Sequence, residues 1–301
     1  MVRTVVAGLD GSPESRAAAE WAAREAKLRG LPLKIAHIWE PVPAPMAQAP
    51  LLGAETQQHW TERIPREAAE GLRLRHPGVE VTIEHSTGQP AEILAKAAEE
   101  AELLVLGSRG LSGIGGFLVG SVGLAVVAHA ARPVVLVRAG EQAADEHEAD
   151  PVGIPSAATP YLPVLLGLDP AHADDSVIEF AFDEASRRST TLRVVAGWNL
   201  PPYYTYGLSV DPDFDREVAR QQATALAAAL RPWRLKYPDV EVVEESRAGS
   251  AATFLIDDSA GASLVVVGRR TRRSPLGPHI GPVAHAVLHH AKAPVAVVAH
   301  D

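Results

Sequence analysis

The 301-residue chain has no cysteine, which excludes disulfides, cysteine-based zinc sites and thiol catalysis. It is short of positive charge: 28 Lys and Arg stand against 37 Asp and Glu, a net charge of −9. Nucleic acid is therefore not expected as a partner, because neutralising its phosphates needs a basic surface. No apolar run approaches the roughly 18 residues of a membrane span. The opening "MVRTVVAGLD" passes directly into a strand-like segment, without the apolar region and small-residue cleavage site of a secretory leader. A cytoplasmic protein with no membrane association is expected. Two phosphate-binding fingerprints are also missing. No G-K-[ST] supplies the lysine and Mg²⁺-binding hydroxyl of P-loop enzymes, and no G-x-G-x-x-G follows the first strand.

What the chain does have is repetition. "VVAGLDGSPES" from Val5 returns as "VLLGLDPAHAD" from Val164, an offset of 159 residues. "LLVLGSRG" through "ARPVVLVR" returns as "LVVVGRRT" through "KAPVAVVA", now at an offset of 161. A repeat this long sets the architecture: two domains, at 1–138 and 161–301, joined by an acidic Pro/Gly-punctuated linker at 139–160. In the first half strands are expected near 4–9, 33–38, 79–85, 103–107 and 133–138, and helices at 13–29, 54–75, 90–101 and 121–131. Ser12–Pro13 makes a good helix start and Gly30 a good stop; Pro65 is expected to kink or split the second helix. Continuous apolar strands such as "LLVLG" suit a parallel sheet covered on both faces. The fold class that follows is α/β: two repeated doubly wound domains, each a parallel sheet with helices on both faces.

In such folds ligands bind beyond the carboxyl ends of the strands, where the strand order reverses. The stretch "GSRGLSGIGGFLVGSVG", Gly107 to Gly123, lies there and holds seven glycines in seventeen residues. Glycines let successive N–H groups point into one concavity, and the helix behind adds free N–H groups and partial positive charge. Ser121 offers a hydroxyl donor at that point. The bland alternatives are a glycine-rich connection, Ser121 as a mere helix cap, and Asp10 as a mere turn cap.

Gly107-x2-Gly110-x9-Gly120-Ser121, the strand end Val5-x4-Asp10-Gly11-Ser12 and "IAHIW" ending at Trp39 together resemble the universal stress protein family, in its ATP-binding branch. The resemblance covers both halves. It implies five parallel strands per domain and an adenine nucleotide, ATP with Mg²⁺, bound at the strand ends. It implies that Asp10 meets the nucleoside, that Ile38 contacts adenine, and that the loop with Ser121 and Val122 holds the phosphates. The candidate contacts are then Gly8, Asp10 and Ile38 with Gly107, Arg109, Gly110, Gly113, Gly120, Ser121 and Val122. The chemistry agrees: Asp10 can accept from ribose hydroxyls and Ile38 offers an apolar wall. In the family the fifth strand pairs across a two-fold axis. "PVVLVR" and "PVAVVA" are thus expected to pair within one chain as a pseudo-dimer, and two tandem chains to form a homodimer.

The second half departs from this pattern. Its loop reads Gly268-x2-Thr271-x9-Gly281-Pro282. Thr271 stands for Gly110 and resists positive φ; Pro282 stands for Ser121 and removes a hydroxyl and an N–H. Gly197 stands for Ile38. Asp169, Gly268 and Gly281 remain as weaker candidate contacts, and Arg269, Arg270, Arg272 and Arg273 can partly compensate as phosphate ligands. One well-formed nucleotide site per chain is expected, in the first half.

His285 and His289, four apart with His290 alongside, are read as a solvated helix face rather than a metal pair. Trp39 and Trp198 recur at equivalent positions and are read as packing residues. No positioned general base or metal cluster is recognisable, so no catalytic residue is named. The leading expectation is an ATP-binding stress-response regulator whose occupancy protein partners sense. A slow ATP hydrolase or phosphotransferase, and a scaffold that binds no nucleotide, are the alternatives.

Overall fold

A computed structural model of the chain describes residues 3–40, 54–108, 120–199, 212–271 and 280–301, with backbone alone for 54–61 and 212–213. It divides into two units, Met1–Gln142 and Ala143–Asp301.

The first unit runs β1 (Val5–Gly8), α1 (Pro13–Arg29), β2 (Leu33–Trp39), α2 (Ala54–Arg75), β3 (Val81–Thr87), α3 (Pro90–Glu100), β4 (Leu103–Ser108), α4 (Ser121–His129) and β5 (Val134–Arg138). Its strands lie in the order β3-β2-β1-β4-β5, all parallel. Val5 pairs with both Leu33 and Leu103, so the order reverses at β1 and a crevice opens beyond the ends of β1 and β4. The central strands are apolar because helices cover both faces: Val5, Ala7, Leu103, Leu104 and Val105 are fully buried.

Local chemistry explains where α1 begins and ends. The Ser12 hydroxyl accepts from the Ser15 N–H at 3.2 Å and Pro13 takes the first helical position. At the other end Gly30 adopts φ 64°, and the Leu31 N–H reaches the Ala26 carbonyl at 2.9 Å. Between them Ala18, Ala22, Ala23 and Ala26 are wholly buried, small enough to bring the helix backbone close to the sheet. That closeness is extreme at Gly107. A Cβ there would stand 2.5 Å from the Glu14 carbonyl carbon and 2.7 Å from the Ser15 nitrogen.

The second unit runs β6 (Val164–Gly167), α5 (Asp175–Arg188), β7 (Leu192–Trp198), α6 (Pro212–Lys236), β8 (Val242–Ala248), α7 (Ala251–Asp258), β9 (Leu264–Arg270), α8 (Pro282–His290) and β10 (Val295–His300). The strand order is β10-β9-β6-β7-β8, again all parallel. Each unit is therefore a doubly wound five-stranded sheet, as the repeat implied. Ser189 takes the left-handed stop at φ 49°, where the first unit has Gly30.

Three expectations change. Helix α2 runs through Pro65 as one element, so the proline does not split it. Strand β3 extends to Thr87 because the edge ladder continues, with His85, Ser86 and Thr87 opposite His37, Ile38 and Trp39. The segment read as a linker is folded from Ala143 onward. A 3₁₀ turn at Ala143–Glu146 leads into antiparallel bridges, His147 to Tyr161 and Ala149 to Pro155, and the Asp150 carboxylate accepts from the Val152 and Ile154 N–H groups. The His147 and Tyr161 rings stack at 4.0 Å. Among the described residues no helix is long and apolar enough to cross a membrane.

Candidate functional site

At the reversal point of the first unit lies a cleft of about 310 Å³. Gly8, Asp10, Ile38, Gly107, Gly120, Ser121 and Val122 all line it. Arg109, Gly110 and Gly113 lie outside the described residues.

Asp10 sits at the end of β1, where the chain turns through Gly11 at φ 87°. Its Oδ1 accepts from the Ser12 N–H at 2.9 Å and the Ser12 hydroxyl at 2.6 Å, so Asp10 does cap the turn. Both bonds use Oδ1, and the Ser15 hydroxyl nearby also favours the charged carboxylate. Partial burial pushes the Asp10 carboxyl upward, but the Ser12 hydroxyl and N–H outweigh it and hold it below the ordinary carboxylate range. Asp10 is thus an ionised acceptor, held in place by the residue that caps α1.

Across the cleft α4 begins at Ser121. The N-cap is Gly120, at φ −61° and ψ 153°, and no side chain closes it. Ser121 is the first helical residue, so its hydroxyl is not spent as the cap. The first N–H groups of α4 have no intrahelical acceptor, the arrangement that favours an oxyanion. Ile38, with Leu94 and Leu106 beside it, supplies the apolar wall.

Two roles were not visible in the sequence. Gly107 faces the α1 backbone, so packing alone demands glycine there. Glu14 and Glu40 bring two more carboxylates to the cleft. Glu14 is intelligible in hindsight, since the first turn of α1 favours an acidic residue; nothing in the local sequence marks Glu40.

The second unit has a cleft of about 490 Å³ at the same place, lined by Asp169, Gly268 and Gly281 and also by Gly197 and Pro282. Asp169 Oδ1 accepts from the Ala171 N–H at 3.0 Å, and Oδ2 meets His172 Nδ1 at 2.8 Å. Of the four arginines, Arg270 lines the cleft. Arg269 is buried on β9, and burial lowers its pKa; Arg272 and Arg273 lie outside the described residues. The helix that the sequence read as solvated is only partly so. His285 and His290 are exposed, but His289 is buried, with its ring 4.5 Å from that of His285. Trp39 and Trp198 are half-buried.

Comparison with known proteins identifies the family. The Universal stress protein family matches residues 1–138 and 160–299. A universal stress protein of Mycolicibacterium smegmatis is 32% identical over 304 residues, covering 98% of this chain and 96% of that one. One from Mycobacterium tuberculosis H37Rv is 34% identical over 308 residues, covering 97% and 96%. The crystal structure of a universal stress protein from Archaeoglobus fulgidus aligns with a TM-score of 0.69 at 17% identity, over 99% of this chain and 98% of that chain, a likeness of fold. The chain belongs to the universal stress protein family, with two such domains in tandem.

Proposed function

We propose that the first unit binds an adenine nucleotide, ATP with Mg²⁺, and that occupancy biases a conformation read by protein partners. The observation that carries this reading is the pairing, across one cleft, of an ionised Asp10 with the uncapped α4 start at Gly120–Ser121. Asp10 Oδ2 accepts from ribose hydroxyls, Ile38 and Leu94 flank the base, and the Ser121 hydroxyl with the first α4 N–H groups takes the phosphates. The cleft, about 310 Å³, is within the usual range of small-ligand pockets, roughly 300–1,000 Å³.

Asp10, Glu14 and Glu40 line this cleft, and no basic side chain does among the described residues. Three carboxylates beside a polyphosphate favour a counter-cation, and hard carboxylate oxygens suit Mg²⁺. Bound Mg²⁺ neutralises phosphate charge beside the carboxylates. Regulation requires that the nucleotide prefer one conformation over another.

The test is calorimetry on the full chain, preceded by mass analysis of any nucleotide released on denaturation. One ATP site per chain is expected, weakened at least tenfold by Asp10→Ala and by chelating Mg²⁺. Two equal sites, or none, would sink the proposal.

A further inference from the structure

The second-unit cleft is not a filled-in relic of the first. Strands β9 and β10 extend to a last ladder step, His300 opposite Arg270. That step brings a guanidinium and an imidazole to the cleft, where both are lining residues. Thr271 pins the extension: its N–H donates to the His300 carbonyl at 2.6 Å, and its hydroxyl lies 2.7 Å from Asp301 Oδ1. The His300 ring lies over Gly268, whose added Cβ would stand 2.9 Å from Cδ2 and Nε2.

The start of the following helix makes room. The 3₁₀ turn at Pro170–His172 replaces the first residues of the helix, and α5 starts only at Asp175. In the first unit the start of α1 presses on Gly107; here the atoms nearest a Cβ on the equivalent Gly268 belong to side chains, His300 and Val177. On the base side the change runs the other way. A Cβ on Gly197 would stand 2.4 Å from the Ala251 nitrogen, so the start of α7 occupies the place of the Ile38 side chain.

The charges at this cleft are not equally committed. Asp174 Oδ1 accepts from the Ser176 N–H at 2.9 Å and its Oδ2 faces His300 Nδ1 at 3.8 Å, while Asp169 is held by Ala171 and His172. Arg270 has no carboxylate partner among the described residues. An added Cβ on Gly281 meets nothing within 4 Å among the described residues, and its φ is an ordinary −60°. A ligand backed close against the chain is a reason for the missing side chain.

We propose that the second cleft binds a compact organic oxyanion, one carboxylate or phosphate monoester on a short apolar body, through Arg270 at the ends of β9 and β10. The guanidinium fork matches a single oxyanion bidentately. The body lies on Leu168, Val177 and Val267, which line the floor. A nucleoside triphosphate is excluded by the Ala251 backbone on the base side and by Pro282, which gives no N–H on the phosphate side.

The test uses the full chain, with ATP present and absent, and two probes with equal bodies and different heads, pentanoate and butyl phosphate. NMR line broadening reads weak binding, and Arg270→Gln and Ser121→Pro are compared with wild type. The expected result is binding of at least one probe, weakened tenfold or more by Arg270→Gln, unchanged by Ser121→Pro and unchanged by ATP. The head that binds distinguishes an acid from a phosphate ester. Failure of both probes to bind below about 10 mM overturns the proposal. So does equal binding in a folded Arg270→Gln protein, or displacement by ATP. Loss of ATP binding in the first unit leaves these readouts intact, so the two proposals fail separately.

Discussion

Replacing Gly107 with alanine separates packing from ligand binding at the centre of the first cleft. The new Cβ would lie 2.5 Å from the Glu14 carbonyl carbon and 2.7 Å from the Ser15 nitrogen, both main-chain atoms. Ordinary van der Waals separation requires a shift of roughly 1 Å. A side chain could rotate away; a helix start cannot. Helix α1 is fixed by its caps at Ser12 and Gly30 and by its buried alanines. Overpacking of this kind costs about 1–3 kcal/mol, and main-chain partners place it toward the upper end, about 2–3 kcal/mol. For a unit of this size that lowers the melting temperature by roughly 6–12 °C. Gly268→Ala is the control. Its Cβ meets the His300 ring at 2.9 Å and Val177 Cγ2 at 3.2 Å, which can turn aside, so a loss below about 1 kcal/mol is expected. Calorimetric melting with hydrogen exchange resolved to α1 and α5 reads both. If Gly107→Ala kept full stability and α1 protection while losing ATP, the packing argument would be refuted and the glycine would serve the ligand alone.

Ser121→Pro copies the second unit into the first. Proline suits the first helical position, so helicity should be unchanged while ATP binding weakens by about 10- to 100-fold, measured by calorimetry; unaltered affinity would remove α4 from the site. Each unit also holds a buried ion pair one turn apart, Glu25–Arg29 and Glu184–Arg188, the latter with both side chains fully buried. Glu184→Ala removes the buried carboxylate that pairs with Arg188 and should cost about 3–5 kcal/mol in urea unfolding, against less than about 1 for an exposed pair such as Arg63–Glu67; similar losses at both would show that the buried pair is solvated. Acid should destabilise the fold in a defined window. Burial raises Asp10, Glu20, Asp174 and Glu245, but Ser12, Arg75 with His76, Ser176, and Arg193 with Arg247 respectively outweigh it, so all four sit below their ordinary values. The unfolded chain then binds more protons, and stability is complete above roughly pH 4 and lost as pH falls through the lowered folded values. A urea midpoint that stays flat from about pH 6 to 3 would contradict that sign.

The fold was largely readable because its signals are local and doubled. Apolar runs, caps such as Ser12–Pro13 and stops such as Gly30 each mark one boundary, and the repeat supplied the apolar runs a second time. Asp10, Ile38 and Ser121 were readable for a related reason: they stand at strand ends or a helix start, where position implies direction. Glu40 was not, because its place in the cleft depends on where the chain leaves β2. The buried pairs were missed although Glu25-x3-Arg29 and Glu184-x3-Arg188 repeat. A charged pair one turn apart reads equally well as a solvated face, and burial is a property of packing. Gly107 was read by its ligand role, since its closeness to α1 is a distance between segments far apart in sequence. The folded stretch from Ala143 was hidden by composition: acidic and Pro-rich residues resemble a linker, while the side-chain bonds of Asp150 and the stacking of His147 on Tyr161 give it structure.

The two clefts also show how a duplicated site changes without changing its frame. Gly120 and Gly281 precede their helices with nearly the same backbone, φ −61° and ψ 153° against φ −60° and ψ 155°. The helix start therefore tolerates Ser121 or Pro282 alike, and the substitution alters donors, not geometry. Two further changes act at the strand ends. His300, where the first unit has Ala139, adds an imidazole, and the α7 backbone at Ala251 replaces an apolar side chain. None of these changes disturbs the buried strands beneath, so the sheet stays constant while the chemistry beyond its ends diverges. A site lost by drift alone would be expected to fill or collapse. This one is an open cleft of about 490 Å³, and it holds an arginine that no described carboxylate neutralises. That combination favours a change of ligand over the loss of one.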